Sequence, residues 1–149
     1  MAEYLANAVQ EVALNTPVLF NASSPCTRGY VYHEDGSGLF TLCGKTPNCF
    51  ARYRISFTGN IAIPTGGTVG PIALAITENG EIRPASRSIF TPAAVDSYGN
   101  VTCIASIDVP RGCCFSVSIR CVSASNDPTV VPAPVINVQN ANLTIDRKA

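Results

Sequence analysis

The chain has 149 residues, enough for one domain with a substantial core and too few for two ordinary ones. Hydrophobic residues make up 46% of it and charged residues only 13%, about half the usual quarter, and a chain so composed collapses and does not stay disordered. Ten Lys and Arg balance ten Asp and Glu, so the basic excess of a nucleic-acid binder is missing, and so little charge leaves surface suited to being covered by other subunits.

Reading from the first residue, MAEYLANAVQEVAL has no basic n-region, and Glu3, Asn7, Gln10 and Glu11 interrupt its apolar positions. No secretory signal is visible there, and the expectation is a protein made in a cytoplasm or released by lysis. No run approaches the ~18 consecutive apolar residues of a membrane helix, so no membrane partner is expected. Residues 2–13 fit a helix and an extended arm equally well. Beyond them, 11 Gly and 11 Pro separate short segments rich in Val, Ile, Thr, Phe and Tyr, which is an all-β signature.

A strand region over 8–20 is broken at Asn15-Thr16-Pro17. A hairpin follows, with strands over 29–33 and 39–43 around the turn Asp35-Gly36-Ser37-Gly38. After the loop Gly44-Lys45-Thr46-Pro47-Asn48, a long strand over 50–63 alternates Tyr53, Ile55 and Phe57 with Arg52, Arg54 and Ser56. The turn Pro64-Thr65-Gly66-Gly67 leads to a strand over 69–77, and Glu78-Asn79-Gly80-Glu81 makes another hairpin turn.

The clearest alternation lies over 101–121. Val101, Cys103, Ala105, Ile107 and Val109 share one face, and after Pro110-Arg111-Gly112 so do Cys113, Phe115, Val117, Ile119 and Cys121. The opposite face is polar except for Ile104. A Pro-rich loop over 127–134 and a last strand over 135–145 complete the chain. Eight to ten short strands with frequent turns mean a sandwich or a jelly roll.

The seven cysteines form no CxxC pair, Cys43 and Cys49 are six apart without a partner motif or nearby His, and an odd count in a reducing compartment weakens a disulfide framework. Cys103, Cys113 and Cys121 are read as packing thiols, with disulfides and a metal site as lesser alternatives. If one disulfide forms, Cys26 and Cys43, which flank the first hairpin, are the favoured pair. His33, the sole histidine, has no nucleophile motif to serve and is expected at an exposed or edge position. Glu34 and Asp35 read as a solvated turn, and Gly66-Gly67-Thr68-Val69-Gly70 lacks the Lys of a phosphate cradle. Asn21, Asn100 and Asn142 sit in Asn-x-Ser/Thr frames that read as chance without a secretory signal. The expectation is no enzyme, no cofactor and no metal.

Laid end to end, several blocks carry a resemblance. They are Gly29-Tyr30-Val31, Ala51-Arg52-Tyr53-Arg54-Ile55-Ser56-Phe57-Thr58-Gly59-Asn60 and Gly67-Thr68-Val69-Gly70-Pro71-Ile72-Ala73-Leu74-Ala75-Ile76. Asn79-Gly80, Val109-Pro110-Arg111-Gly112 and Val138-Gln139-Asn140-Ala141-Asn142-Leu143-Thr144-Ile145 follow. In this order they resemble the tumour necrosis factor-like and complement-type jelly roll, in the bacterial form that ends collagen-like exosporium proteins. Free-standing copies of similar length look like structural proteins of phages. The resemblance implies an all-β, antiparallel two-sheet jelly-roll sandwich of about ten strands, assembled as a homotrimer. A collagen-like stalk is missing, so the division expected is an N-terminal arm over 1–7 and one jelly-roll domain over 8–149. In this reading Tyr4, Leu5 and Val9 anchor the arm to capsid or other virion proteins.

If the alternation holds, Tyr53, Phe57, Ile107 and Leu143 pack between the sheets. The other face of the same strands, with Arg54, Ser56, Ile104, Ser106, Asn142 and Thr144, is the candidate trimer interface. Ile104 fits a threefold contact, and a lone exposed Ile is the plain alternative. The function expected is a trimeric capsid-decoration or head-fibre subunit on a virion surface. The competing reading is a carbohydrate- or receptor-binding adhesin module on a phage tail or a spore or cell surface, with a host-surface glycan as partner and Tyr98, Asp96 and Phe90 as its few candidate loop residues.

Overall fold

The computed structural model describes residues 2–23, 30–124 and 134–148. Over these the strands are β1 (Ala2–Ala6), β2 (Gln10–Ala13), β3 (Ala22–Ser23), β4 (Val31–His33), β5 (Phe40–Cys43) and β6 (Phe50–Ala62). Then come β7 (Ile72–Glu78), β8 (Glu81–Ile82), β9 (Ser88–Phe90), β10 (Gly99–Pro110), β11 (Cys114–Val122) and β12 (Val135–Arg147), with one 3-10 turn at Pro84–Ser86. They form two six-stranded antiparallel sheets. The first runs β10-β6-β12-β1-β3, with β2 also paired to β12. The second runs β4-β5-β11-β7-β8, with β9 also paired to β7.

Period-two alternation explains the widest part of the first sheet. In β10, Val101, Cys103, Ala105, Ile107 and Val109 are buried and every residue between them is exposed. Its partner β6 buries Ala51, Tyr53, Ile55, Phe57 and Ile61, and the register sets Ile107 opposite Tyr53 and Cys103 opposite Phe57. A slip of one residue would turn both apolar sets to water, so the pairing is strongly specified. Tyr53, Phe57, Ile107 and Leu143 are all fully buried between the sheets. Tyr4, Phe20, Phe40 and Phe57 link the layers ring to ring, with Phe40 centred 4.6 Å from Tyr4 and 5.5 Å from Phe20, and Phe20 6.3 Å from Phe57, all edge-to-face.

In the second sheet, β7 does not alternate: Ile72, Leu74 and Ile76 enter the core, while Ala73, Ala75 and Thr77 on its other side are buried too. Small residues and a hydroxyl allow that, since Ala73 and Ala75 pack with Val122, and Thr77 Oγ1 lies 2.5 Å from Ser118 Oγ. The Asn79-Gly80 turn has positive φ at both residues, 53° and 87°, as a two-residue hairpin between β7 and β8 requires.

Three expectations need correction. Residues 2–6 are neither a helix nor an arm outside the sandwich. They form β1, an internal strand between β12 and β3, because Tyr4 and Ala6 alternate inward with Glu3 and Leu5 between them. The region over 8–20 is not one broken strand. β2 pairs with the first sheet, Asn15 turns the chain at φ 65°, and Pro17 bridges to Arg120 of the second, so Val18 and Phe20 are buried at a crossing between layers. Cys113 is exposed, since it belongs to the turn before β11 and the inward face begins only at Phe115 and Val117. Cys26, the suggested partner of Cys43, lies outside the described residues.

Candidate functional site

The outward face of β10, β6 and β12 is a grid whose rows follow the register. Asn100 lies beside Asn60, and Thr102 beside Thr58 and Asn142. Ile104 lies beside Ser56 and Thr144, Ser106 beside Arg54 and Asp146, and Asp108 beside Arg52. All six residues expected at a subunit contact therefore share one side of three neighbouring strands. Uncharged groups fill the first three rows, tied by Asn100 Nδ2 to Asn60 Oδ1 at 3.3 Å and Thr144 Oγ1 to Asn142 Oδ1 at 3.3 Å. Charge is confined to the last two. Arg52 donates two bonds to Asp108, at 2.8 and 3.0 Å, and these hold the Asp108 carboxyl below its ordinary range. Lys148 does the same for Asp146 at 2.8 Å. Ile104, 49% exposed, is the apolar residue of the uncharged part, on the edge strand β10 and in the row next to Arg54 and Asp146.

The N-terminal candidates are divided by the same alternation. Tyr4 is 1% exposed and its ring meets His33 and Phe40, so it cannot reach a partner from the folded chain. Leu5 points outward and is half-buried, and Val9, after the strand, is 50% exposed.

The thiols fall into two groups. Cys103 and Cys121 lie in the core, where burial pushes the first up to about 12 and the second to about 11; Cys103 Sγ also points at Leu74 O, 3.4 Å away. Cys43, Cys49, Cys113 and Cys114 gather at one end, where the loop after β5 is bonded to the turn after β10 through Gly44 N to Cys113 O at 2.8 Å and Arg111 N to Cys49 O at 2.9 Å. Among the described residues no three His, Cys, Asp or Glu side chains are placed to hold a metal. His33 is on the edge strand β4, as expected, but its side chain is buried: the ring stacks on Phe40 at 4.3 Å and Nε2 bonds Ser37 O at 2.8 Å.

Two shallow depressions were not legible in the sequence. One, of about 450 Å³, is lined by Glu78, Asn79, Glu81, Ile82, Arg83 and Phe115, with Arg83 held on Glu78 at 2.7 Å. Five of its residues belong to the β7–β8 hairpin and the residue after it, and only Phe115 of β11 joins them through pairing across the second sheet. The other, of about 260 Å³, lies between residues 63–68 and Pro134 and Val135. Asp96, near it, accepts a 2.5 Å bond from Thr65, and Tyr98 is 39% exposed. Phe90 is no loop residue: it sits in β9 against the core, and its ring would lie 2.4 Å from a Cβ at Gly99.

Two sheets in this strand order, closed by a long last strand beside the first, match known architectures across nearly the whole chain. The chain is similar to the globular domain of zebrafish complement 1qA protein, with 15% identity, a TM-score of 0.57 and cover of 95% of this chain and 92% of that one. It is also similar to murine APRIL, with 10% identity, a TM-score of 0.54 and cover of 96% and 97%. The fold is a C1q and tumour necrosis factor-like jelly roll. No protein-family model matches the sequence, and no curated protein matches it either. In jelly-roll terms the grid around Ile104 is the outer surface of the sheet that carries both the first and the last strand.

Proposed function

We propose that the protein is a non-enzymatic structural subunit that works as a homotrimer on a virion surface, as a decoration or head-fibre protein of a bacteriophage head. The observation that carries the self-assembly is Ile104, half exposed on the edge strand β10 in the third of the three uncharged rows of β10, β6 and β12. Around a threefold axis every residue near the axis meets copies of itself, and like charges there would repel. Asn, Ser and Thr bond to their copies, and Ile104 loses water against its copies. Of the three N-terminal candidates, Leu5 and Val9, on the outward side of β1 and just past it, are the two left to contact a capsid protein. The virion placement draws on the likeness of the sequence blocks to phage structural proteins and on the low charge of the chain.

The test is native mass spectrometry of the wild-type chain and of Ile104→Asp, each with and without reductant. Three-chain complexes for the wild type and single chains for the variant are expected, because three carboxylates would face one another at the axis. A wild-type monomer, or a variant trimer of unchanged stability, overturns the assembly. Gold-labelled antibody on particles released by lysis checks the virion placement, with label on the heads expected.

A second reading, a host-surface glycan-binding module, is favoured by the depression over Phe115. There a partly buried ring lies among Glu78, Asn79, Glu81 and Arg83, the carboxylate, amide and guanidinium groups that bond sugar hydroxyls.

A further inference from the structure

Cys43 on β5 and Cys114 on β11 are directly opposed in the register, and their sulfurs are 3.6 Å apart. The pairing pattern fixes what kind of opposition this is. The Cys43 N–H is used on the other side of its strand, donating to Tyr30 O at 2.9 Å, while the next residue, Gly44, donates to Cys113 O at 2.8 Å. Cys43 and Cys114 therefore form a non-hydrogen-bonded antiparallel pair, the kind whose Cα atoms approach to about 4.5 Å and whose side chains lie closest. That spacing is inside the Cα range of disulfides, so side-chain rotation closes the sulfurs without moving the strands. The two thiols also differ in access: Cys114 is exposed, whereas Cys43 is 5% exposed.

We propose that Cys43 and Cys114 are a redox couple, in which Cys114 accepts a sulfur from a low-molecular-weight disulfide and Cys43 resolves the adduct into a cross-strand disulfide. In the first step the Cys114 thiolate attacks one sulfur of the small disulfide; a new S–S bond forms, the old one breaks, and one small thiol leaves. In the second, the Cys43 thiolate attacks the Cys114 sulfur and displaces the second small thiol. The two protein thiols lose two protons and two electrons, and the small disulfide takes them up as two thiols. The order follows from the surroundings. Burial and the hydrogen bond its own S–H makes to Cys114 push the Cys43 thiol up, so Cys43 is the poorer first nucleophile, but it sits within reach of the adduct. Cys103 and Cys121 lie in the core and take no part.

The resulting bond links β5 to β11, the central strand of the second sheet, and closes a long loop of chain. The experiment is titration of the native full-length protein with oxidised glutathione against its thiol, followed by acid quench, alkylation after unfolding and peptide mapping. A linked Cys43–Cys114 peptide is expected, with two of the seven thiols lost together and a thermal midpoint raised by about 5 °C or more. In Cys114→Ser, whose folding is checked by circular dichroism, Cys43 is expected to stay alkylatable at every ratio. A persistent glutathione adduct on Cys114 with Cys43 still free overturns the proposal, and so does Cys114 linked instead to Cys49 or Cys113.

Discussion

The Tyr53 hydroxyl reaches from β6 in the first sheet to the second, donating to Cys43 O at 2.5 Å and lying 3.2 Å from Tyr30 O. The Tyr4 hydroxyl is also buried, yet it has no hydrogen-bond partner among the described residues. The same substitution therefore has different costs at the two sites. Tyr53→Phe removes a bonded donor and is expected to lower stability by about 1–2 kcal/mol, read from urea denaturation, while Tyr4→Phe removes only an unbonded hydroxyl and is expected to be neutral or stabilising. Equal losses at both sites would mean that the inter-sheet bond contributes nothing. Whether a given polar atom finds a partner depends on loops brought in from 10 to 23 residues away, which period-two reading does not address. The burial of His33 escaped the sequence for the same reason: Tyr4 and Phe40, from different strands, build the apolar slot around a ring read as exposed or at an edge.

Among the elements, the end of the sandwich where β5 leaves and β11 begins is held by backbone rather than by side chains. Gly44 N donates to Cys113 O, and Gly112 N donates to Gly44 O at 3.1 Å. A Cβ on Gly44 would stand 2.2 Å from the carbonyl oxygen of Pro110, an atom fixed in the β10 ladder. Gly44→Ala is expected to cost about 3 kcal/mol through forced separation of the two loops, measured as a lower urea midpoint. Gly70→Ala, at a site with open space, is expected to leave that midpoint unchanged. The strands that the sequence made legible are those with one wet and one dry face. β6, β10 and β12 could be read, and with them the grid around Ile104, because Arg, Ser, Thr and Asn mark the outer positions. β1 was not, since Tyr4, Leu5, Ala8 and Val9 fit helical and extended spacing alike, and only pairing with β12 decides between them. The inward phase carried back to Cys113 failed because the turn at Gly112, with φ 80°, ends the alternation before β11 resumes it.

For the molecule as a whole, nearly all the perturbed ionisable groups on one side of neutrality are buried and those on the other are exposed, so its response to acid and to alkali is unequal. Asp108 and Asp146 are held low by Arg52 and Lys148. Their contribution is complete above the ordinary carboxylate value of 3.8 and is lost as pH falls through their lowered values, but both pairs are exposed and screened, so the loss is small. In alkali the sign reverses. Burial lifts Tyr4 from 10.0 to about 12, Cys103 from 9.0 to about 12 and Cys121 from 9.0 to about 11, and raises Tyr53 as well. The folded chain keeps these protons after the unfolded chain has released them. Stability is therefore level up to about pH 9 and falls steeply between about 9 and 12. Each buried group that keeps its proton in the folded chain adds to that loss. The urea midpoint followed from about pH 4 to about pH 12 under reducing conditions is expected to show that one-sided collapse. In the double variant Tyr4→Phe and Cys103→Ala the fall still begins near pH 9, where Cys121 loses its proton in the unfolded chain, but it is expected to be markedly shallower, whatever the cavity left by the lost thiol does to the level at neutrality. A fall of the same depth in both proteins would mean that these buried groups do not set the alkaline limit of the sandwich.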